Sequence, residues 1–359
     1  MFKKSLSILI FASGVLFATF VAAEKQATFD EFDLVLEVND IQVGGTLLKP
    51  KKSATNHLVI MLSGSGPQDR DETLDDFKVL GVVAEHLAKN GIPSFRFDDR
   101  GEGKSTGDFV NSTLNDHRKD VEGIMAFFKD HDKYGYDTFI LLGHSQGAIV
   151  GANVAINNKE VVKLVLMGPP SVPLVDIVLY QVRQEYKGRS LDRAIMEEDV
   201  SAHNNLMWSL SQGQKLEDAL DKFYHSAERI LKLGANHQES DIEQIKAMAK
   251  RKTEEIEIVY ALPSLTSFLY HDTARDYERL EVPVLALFGG KDLQVTIEQN
   301  KDVLERALLK SGIKYKFKTF HDANHYFQKA ETGERSEYGT LEKRFVGGFL
   351  ETISTWIVQ

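Results

Sequence analysis

The segment that most restricts the fold of this chain is the pentapeptide Gly-His-Ser-Gln-Gly at residues 143–147. It follows an apolar run at residues 138–142 and precedes small residues that suit a helix. A Gly-x-Ser-x-Gly pattern between a strand and a helix predicts a sharp turn that holds the serine hydroxyl clear of the sheet. Side chains at Gly143 or Gly147 would crowd the strand or the helix, so we expect both positions to require glycine. Ser145 is therefore a candidate nucleophile; the alternative is a structural turn that contains a serine by chance.

Strands and helices alternate on both sides of this turn. Residues 35–48 indicate an antiparallel pair with a turn near Asn39 and Asp40. Further strands are predicted at 57–62, 92–97, 161–167, 282–288 and 313–318, and helices at 77–87, 114–128 and 296–310. The alternating lysines of the last strand favour a sheet edge, which must resist pairing with other chains. The alternation predicts an α/β fold with a mostly parallel central sheet and helices on both faces.

This alternation stops between residues 171 and 272. The segment is polar and charged, and it indicates helices at 189–198, 215–232 and 240–256. Ligands of α/β sheets bind outside the carboxyl ends of the strands, so a helical insertion there predicts a cap over the site. The alternative is a helical decoration away from the site. The predicted organisation is a core of residues 24–170 and 273–359 with a cap at 171–272. Its aromatic residues either line the pocket or form the cap's own core; they are Trp208, Phe223, Tyr224, Phe268 and Tyr270.

The N-terminus has the pattern of a secretory signal peptide. Lys3 and Lys4 precede an apolar stretch that ends in small residues near position 23. The apolar run is shorter than the ~20 residues of a spanning helix, so cleavage is favoured over a membrane anchor. We expect an exported, soluble mature chain that begins near Glu24, with no stable membrane anchor after cleavage.

Composition limits the chemistry available to the chain. The absence of cysteine excludes disulfides, thiol nucleophiles and thiolate metal sites. The eleven histidines show no metal-binding spacing, so we expect no metal and no cofactor. The formal charge of −10 argues against nucleic acid and anionic membranes as partners. The sequence leaves the oligomeric state open.

A serine nucleophile needs a base and an acid. In chains with a Gly-x-Ser-x-Gly turn, these partners follow the serine in the order acid, then histidine. Asp292 comes just after the strand at 282–288, where an acid can reach the site. The last strand runs into a loop with two histidines, His321 and His325, and a rival acid, Asp322. We take His325 as the base because His321 is too close to the strand end to reach the turn. Either histidine could instead be an ordinary solvated loop residue.

The oxyanion of an acyl transfer needs backbone N–H donors. One donor should be Gln146, the residue after the nucleophile. The second should come from the glycine-rich loop after the strand at 57–62, where we assign Ser65 and keep Gly64 as the alternative. We expect His144 to point away from Ser145 and to make local contacts.

Two other segments could suggest binding sites. Residues 101–106 imitate part of a phosphate-binding loop, but Asp98 stands where that motif needs glycine. We expect a rigid turn there, with Asp99 and Arg100 in buried ion pairs. The charged segment 68–72 could touch substrate, but a salt-bridged brace of the loop is the favoured interpretation.

Together these segments resemble the α/β-hydrolases, and more narrowly a bacterial serine-esterase group of the S33-peptidase-like superfamily. The matching segments are residues 63–72, 95–107, 143–147, 283–295 and 324–325. The family usually has His-Gly at the oxyanion loop, where this chain has Ser63-Gly64; because the donors are backbone groups, we expect an altered loop and not a lost activity. The resemblance implies Asp292 over Asp322 and His325 over His321. It also implies hydrolysis of carboxylic esters with small to medium acyl groups, with a peptidase, amidase or thioesterase, or an inactive binding homologue, as alternatives.

Overall fold

The structure is a computed structural model that describes residues 28–131, 133–187, 191–234 and 241–359. The predicted signal peptide at 1–23 lies outside the described residues. Within those ranges, no helix is both long and apolar enough to cross a bilayer.

An eight-stranded sheet forms the centre of the fold, in the order β1-β2-β6-β3-β7-β8-β9-β10. The strands that precede the first helix are β1 (Phe29–Val38), β2 (Ile41–Pro50), β3 (Leu58–Leu62), β4 (Thr73–Leu74) and β5 (Phe77–Lys78). Those that follow are β6 (Ser94–Phe97), β7 (Phe139–His144), β8 (Val161–Met167), β9 (Val284–Gly289) and β10 (Tyr315–Phe320). The pairs β1–β2 and β2–β6 are antiparallel, and the other pairs of the large sheet are parallel. The mostly parallel sheet is confirmed. The short hairpin β4–β5 was not expected.

Helices cover both faces of this sheet, as expected. In chain order they are α1 (Val79–Lys89), α2 (Leu114–Asp130), α3 (Gln146–Ala155), α4 (Leu174–Gln184), α5 (Arg193–Gln212), α6 (Leu216–Gly234), α7 (Asp241–Ala261), α8 (Pro263–Leu269), α9 (Thr273–Glu278), α10 (Ile297–Ser311) and α11 (Phe349–Val358). Alternate side chains of the central strand β7 point to opposite faces. Phe139 and Leu141 pack with α2, α3 and α10. Ile140 and Leu142 pack with α1 and α11.

The strand β10 forms one edge of the sheet, as its lysines predicted. Lys316 and Lys318 are exposed on it, while Phe320 is buried. Charged side chains on an edge strand disfavour pairing with another chain. The parallel register places the carboxyl ends of β3, β7, β8, β9 and β10 at one end of the sheet, and the candidate site residues follow those ends.

In the described part of the connection from β8 to β9 there are six helices, α4 to α9. Most of them share a small apolar core of their own around Leu206, Phe223 and Leu269. Arg189 and Ser240, two residues where helices were expected to begin, lie outside the described residues. The helix expected at 189–198 begins at Arg193 and extends to Gln212.

Candidate active site

Ser145 occupies a strained turn between β7 and α3. Its φ is 52° and its ψ is −117°, in a backbone region that non-glycine residues rarely adopt. An added Cβ at Gly143 would lie 2.3 Å from the carbonyl oxygen of Gly147, and one at Gly147 would lie 2.5 Å from that of Leu62. The expected requirement for glycine at both positions is therefore confirmed. The Ser145 N–H donates to the Met167 carbonyl at 2.8 Å, which ties the turn to the end of β8.

Asp292 lies in the turn after β9 and is almost fully buried. Its Oδ1 accepts the backbone N–H groups of Gln294 and Val295, at 2.8 and 2.9 Å. Its Oδ2 lies 2.7 Å from Nδ1 of His325. Both carboxylate oxygens are thus hydrogen-bonded, and the acid holds the histidine ring at a fixed angle.

His325 lies in a tight loop after β10 and is 3% exposed. The Asn324 side chain accepts the N–H groups of Tyr326 and Gln328, both at 3.0 Å, which fixes the loop around the histidine. His321 and Asp322, the rival base and acid, are exposed to solvent. The structure therefore brings Asp292 and His325 together and leaves the two rivals outside that arrangement.

His144 joins this loop to the serine turn. Its Nε2 lies 3.0 Å from the His325 carbonyl oxygen, and the two rings are 4.7 Å apart at their centroids. Its Nδ1 lies 2.7 Å from Oε1 of Glu72, a residue 72 positions earlier in the chain. The expectation of local hydrogen bonds for His144 is wrong, because both of its ring nitrogens contact residues that are distant in the chain.

Gln146 is the first residue of α3, where backbone N–H groups have no partner within the helix. On the opposite loop, the Gly64 N–H donates to Glu72 Oε1 at 2.8 Å. The alternative assignment of Gly64 as an oxyanion donor is therefore wrong, because that N–H is already engaged by a buried carboxyl. Ser65, the first choice, lines the same cavity as Ser145.

Ser63, which stands where the family has histidine, donates its hydroxyl to the Asp99 carboxyl at 3.0 Å. The Gln68 N–H binds the same oxygen at 3.0 Å. Burial raises the pKa of Asp99 to about 8. The expectation of an ion pair is wrong for Asp99: no cation pairs with it in the described part of the chain. It is right for Arg100, which pairs with Asp120 at 2.6 Å.

The charged segment 68–72 braces its loop, as favoured. Arg70 pairs with Asp98 at 2.5 Å, and Asp71 pairs with Arg96 at 2.6 Å. Glu72 is the exception, because it is 1% exposed and turns toward His144. No sequence signal separated Glu72 from the neighbouring brace residues.

Residues 101–106 form a rigid turn, as expected. The Gly101 N–H donates to the Thr106 carbonyl, and the Lys104 N–H donates to Asp98. A Cβ at Gly103 would lie 2.3 Å from the Asp98 carboxylate. The glycines thus let the chain close around Asp98, and no phosphate loop forms.

Two cavities meet at the serine turn. The first, the polar cavity, is about 330 Å³ and is lined by Ser145, Gln146, Ser65 and Glu72. Its other walls include Tyr326, Arg335 and the α4 residues Leu174, Ile177, Val178 and Gln181. The second, the apolar cavity, is about 40 Å³ and includes Gly64, Gln146, Phe97, Phe109, Val150 and Phe268. Gln146 borders both cavities.

Of the five aromatic residues between 171 and 272 singled out above, Phe268 alone lines either of these two cavities. Phe223 is fully buried among α5, α6 and α7, and Tyr224 packs beside it. Trp208 and Tyr270 are exposed at the surface.

In the described ranges, no group of three or more metal-binding side chains occurs.

Comparison of the sequence with family profiles assigns the chain to a family. Residues 75–329, well over half of the chain, match the profile of the serine aminopeptidase S33 family. The chain belongs to this family. Esterase EstD of Thermotoga maritima is a relative of this S33-family chain, 26% identical over 361 aligned positions, which cover 93% of this chain and 72% of the relative.

Solved structures share the fold of this S33-family protein at low sequence identity. The esterase Pf2001 of Pyrococcus furiosus is 16% identical with a TM-score of 0.52, covering 92% of this chain and 88% of that one. The enol-lactonase of Burkholderia xenovorans is 15% identical with a TM-score of 0.52, covering 91% and 100%. The resemblance to the α/β-hydrolases is confirmed, and the protein is a hydrolase of that superfamily.

Proposed function

We propose that this protein is an exported serine esterase that hydrolyses carboxylic esters of small to medium acyl groups through Ser145, His325 and Asp292. The observation that carries the proposal is the buried Asp292–His325 hydrogen bond, held against the serine turn by the contact of His144 with the His325 carbonyl. The esterase relative supports the choice of bond.

The proposed chemistry follows from the hydrogen bonds. Asp292 Oδ2 accepts the Nδ1 proton of His325, which leaves Nε2 of that ring free to act as a base. Ser145 Oγ attacks the acyl carbon while His325 takes its proton and then returns it to the departing alcohol. Water repeats the sequence on the acyl-enzyme. The N–H groups of Gln146 and Ser65 are the proposed oxyanion donors.

The two cavities support separate binding sites for the acyl group and the alcohol group of the substrate. Among the charged residues of the apolar cavity, Asp99 keeps its proton to a pKa of about 8, burial lowers the pKa of His117 to about 4, and Arg100 pairs with Asp120. We assign the acyl group to this cavity. Its volume of about 40 Å³ favours short chains. The alcohol group then occupies the larger polar cavity of about 330 Å³.

The helices between β8 and β9 are proposed to act as the cap at 171–272. Support comes from α4 and α8, because Leu174, Ile177 and Leu265 line the polar cavity together with Ser65 and Ser145. The export of the chain is proposed from residues 1–23. N-terminal sequencing of the protein from a periplasmic or secreted fraction should begin near Glu24, and a full-length cytosolic product would reject it.

A fluorophosphonate probe tests the mechanism. It should label the wild-type protein stoichiometrically, label Ser354→Ala equally, and fail to label Ser145→Ala; labelling at the wild-type rate in His325→Ala would reject the triad. An inactive binding homologue would show no labelling at all.

A series of chromogenic esters of increasing acyl length tests the assignment of the acyl group, with a fall in kcat/KM expected beyond short chains. Matched thioester and anilide substrates test which type of bond the enzyme cleaves. Rates on the anilide equal to those on the ester would favour an amidase.

A further inference from the structure

Beneath the candidate site lies a buried acid–imidazole pair that the proposed mechanism does not use. Glu72 is 1% exposed and His144 is 0% exposed. Glu72 Oε1 lies 2.7 Å from His144 Nδ1 and accepts the Gly64 N–H at 2.8 Å. Such a pair is costly to bury, because both groups leave water and their remaining polar atoms need partners. Its position calls for a functional reason.

The hydrogen bonds determine where one proton must be. The His325 carbonyl can only accept, so His144 Nε2 carries a hydrogen and donates it. The other proton is shared between His144 Nδ1 and Glu72, and the pair is neutral whichever atom holds it. Burial alone would lower the pKa of His144, but the adjacent Glu72 carboxylate and the His325 carbonyl raise it above its usual value.

The pair connects three segments that are far apart in the chain. Glu72 binds Gly64, which directly precedes the proposed oxyanion donor Ser65. His144 directly precedes the nucleophile Ser145. Its Nε2 binds the backbone of the proposed base His325. The Glu72 carboxyl group and the His144 imidazole therefore link the segments that carry Ser65, Ser145 and His325.

Two features indicate that this geometry is imposed at a cost. Glu72 has a φ of 49°, in the left-handed region that disfavours side chains. Its second oxygen, Oε2, is buried and has no hydrogen-bond partner in the described part of the chain. A strained backbone and an unsatisfied oxygen tend to be kept where the surrounding structure requires them for function.

We propose that Glu72 and His144 are positioning residues that hold the Ser65 N–H and the His325 imidazole in register with Ser145. This inference rests on the proposed serine-esterase function. Because the pair is neutral, it sets distances and does not add charge to the site. Glutamine at position 72 cannot restore it: one carbonyl oxygen cannot serve Gly64 and also supply the proton or the negative charge that His144 requires.

The test is steady-state hydrolysis of p-nitrophenyl butyrate by Glu72→Gln, His144→Gln and the double variant. Misplacement of a reacting group or of one oxyanion donor costs rates of this order, so we expect kcat to fall about ten- to a hundredfold in each single variant, with KM within about twofold. The double variant should lose little more than the worse single variant, because both act through one connection. Additive losses would contradict the pair.

A buried acid–histidine pair outside the site provides the matched control. Asp199 is fully buried and lies 3.5 Å from His203 in α5. Asp199→Asn should reduce the melting temperature without changing kcat. If Glu72→Gln, folded by circular dichroism, keeps wild-type kcat, the positioning role is refuted. A wild-type enzyme inactive on every ester would instead refute the proposed function.

The neutrality of the Glu72–His144 pair can be tested separately, by the pH dependence of hydrolysis and by NMR. The acid limb of the kcat/KM profile reports the deprotonation of the free enzyme's base. Loss of a neutral pair should leave the midpoint of that limb within about 0.5 unit, although Asp292, His144 and Tyr326 lie against His325 and Glu72 lies next to His144. Nitrogen NMR of the wild-type histidines needs no variant to fold: a His144 protonated only at Nδ1 would overturn the inference.

Discussion

The Asp99 carboxyl should make the stability of this protein fall as the pH rises. Burial raises its folded pKa from 3.8 to about 8. Between those values the unfolded chain has released the proton and the folded chain retains it. The free energy of unfolding then decreases by about 3 kcal/mol from pH 5 to pH 7, and levels off above pH 8.

Asp99→Asn isolates this contribution, because asparagine imitates the protonated acid and does not titrate. Urea unfolding of the wild type and the variant should be compared at several pH values. The wild type should lose about 3 kcal/mol relative to the variant between pH 5 and pH 7. Asp98→Asn is the control: Asp98 pairs with Arg70, and its hydrogen bonds lower its pKa despite its burial, so its stability difference should not change over this range. A constant difference between wild type and Asp99→Asn would refute the reasoning.

Three further changes test the site. Gly147→Ala should destabilise the protein by about 1–3 kcal/mol or more in thermal unfolding, since its Cβ would lie 2.5 Å from two backbone oxygens; Gly151→Ala in the same helix, with its nearest contact at 3.6 Å, should be neutral or stabilising. Asp292→Asn should lower kcat roughly ten-thousandfold with the fold intact, as loss of the triad acid does in other hydrolases, and a loss below tenfold would argue against its role. Arg335→Gln should lower kcat/KM for p-nitrophenyl hemisuccinate about two- to fivefold relative to the butyrate ester, because Arg335 lines the polar cavity and has no ion-pair partner within the described ranges; an unchanged ratio would show that it does not contact substrate.

The sequence was sufficient for the sheet, the serine turn and the order of the candidate acid and base. Those features have local causes: apolar runs, glycines that a Cβ would displace, and polar residues directly after strands. Helix boundaries were less certain, as at α1, which begins at Val79 because a short hairpin occupies the residues before it. The C-terminal helix α11 was not anticipated, since it follows a long irregular stretch after His325.

The features that the sequence did not reveal depend on contacts between distant segments. Glu72 and His144 are 72 residues apart, and Glu72 is surrounded in sequence by residues that form ordinary ion pairs. Its direction depends on a positive φ that no pattern at that position indicates. The protonation of Asp99 likewise depends on the depth of its burial, which a sequence motif does not report.

Three carboxyl groups are buried around the serine turn, and each is accommodated in a different way. Asp292 has hydrogen bonds to both oxygens, from two backbone N–H groups and His325. Glu72 shares a proton with His144. Asp99 has no cation and keeps its proton to a pKa of about 8. Burial of an unpaired negative charge would cost several kcal/mol, which is why Asp99 keeps its proton and Glu72 shares one with His144. We therefore expect Asp292 to act directly on the His325 ring, and Glu72 and Asp99 to act on the position of the oxyanion loop.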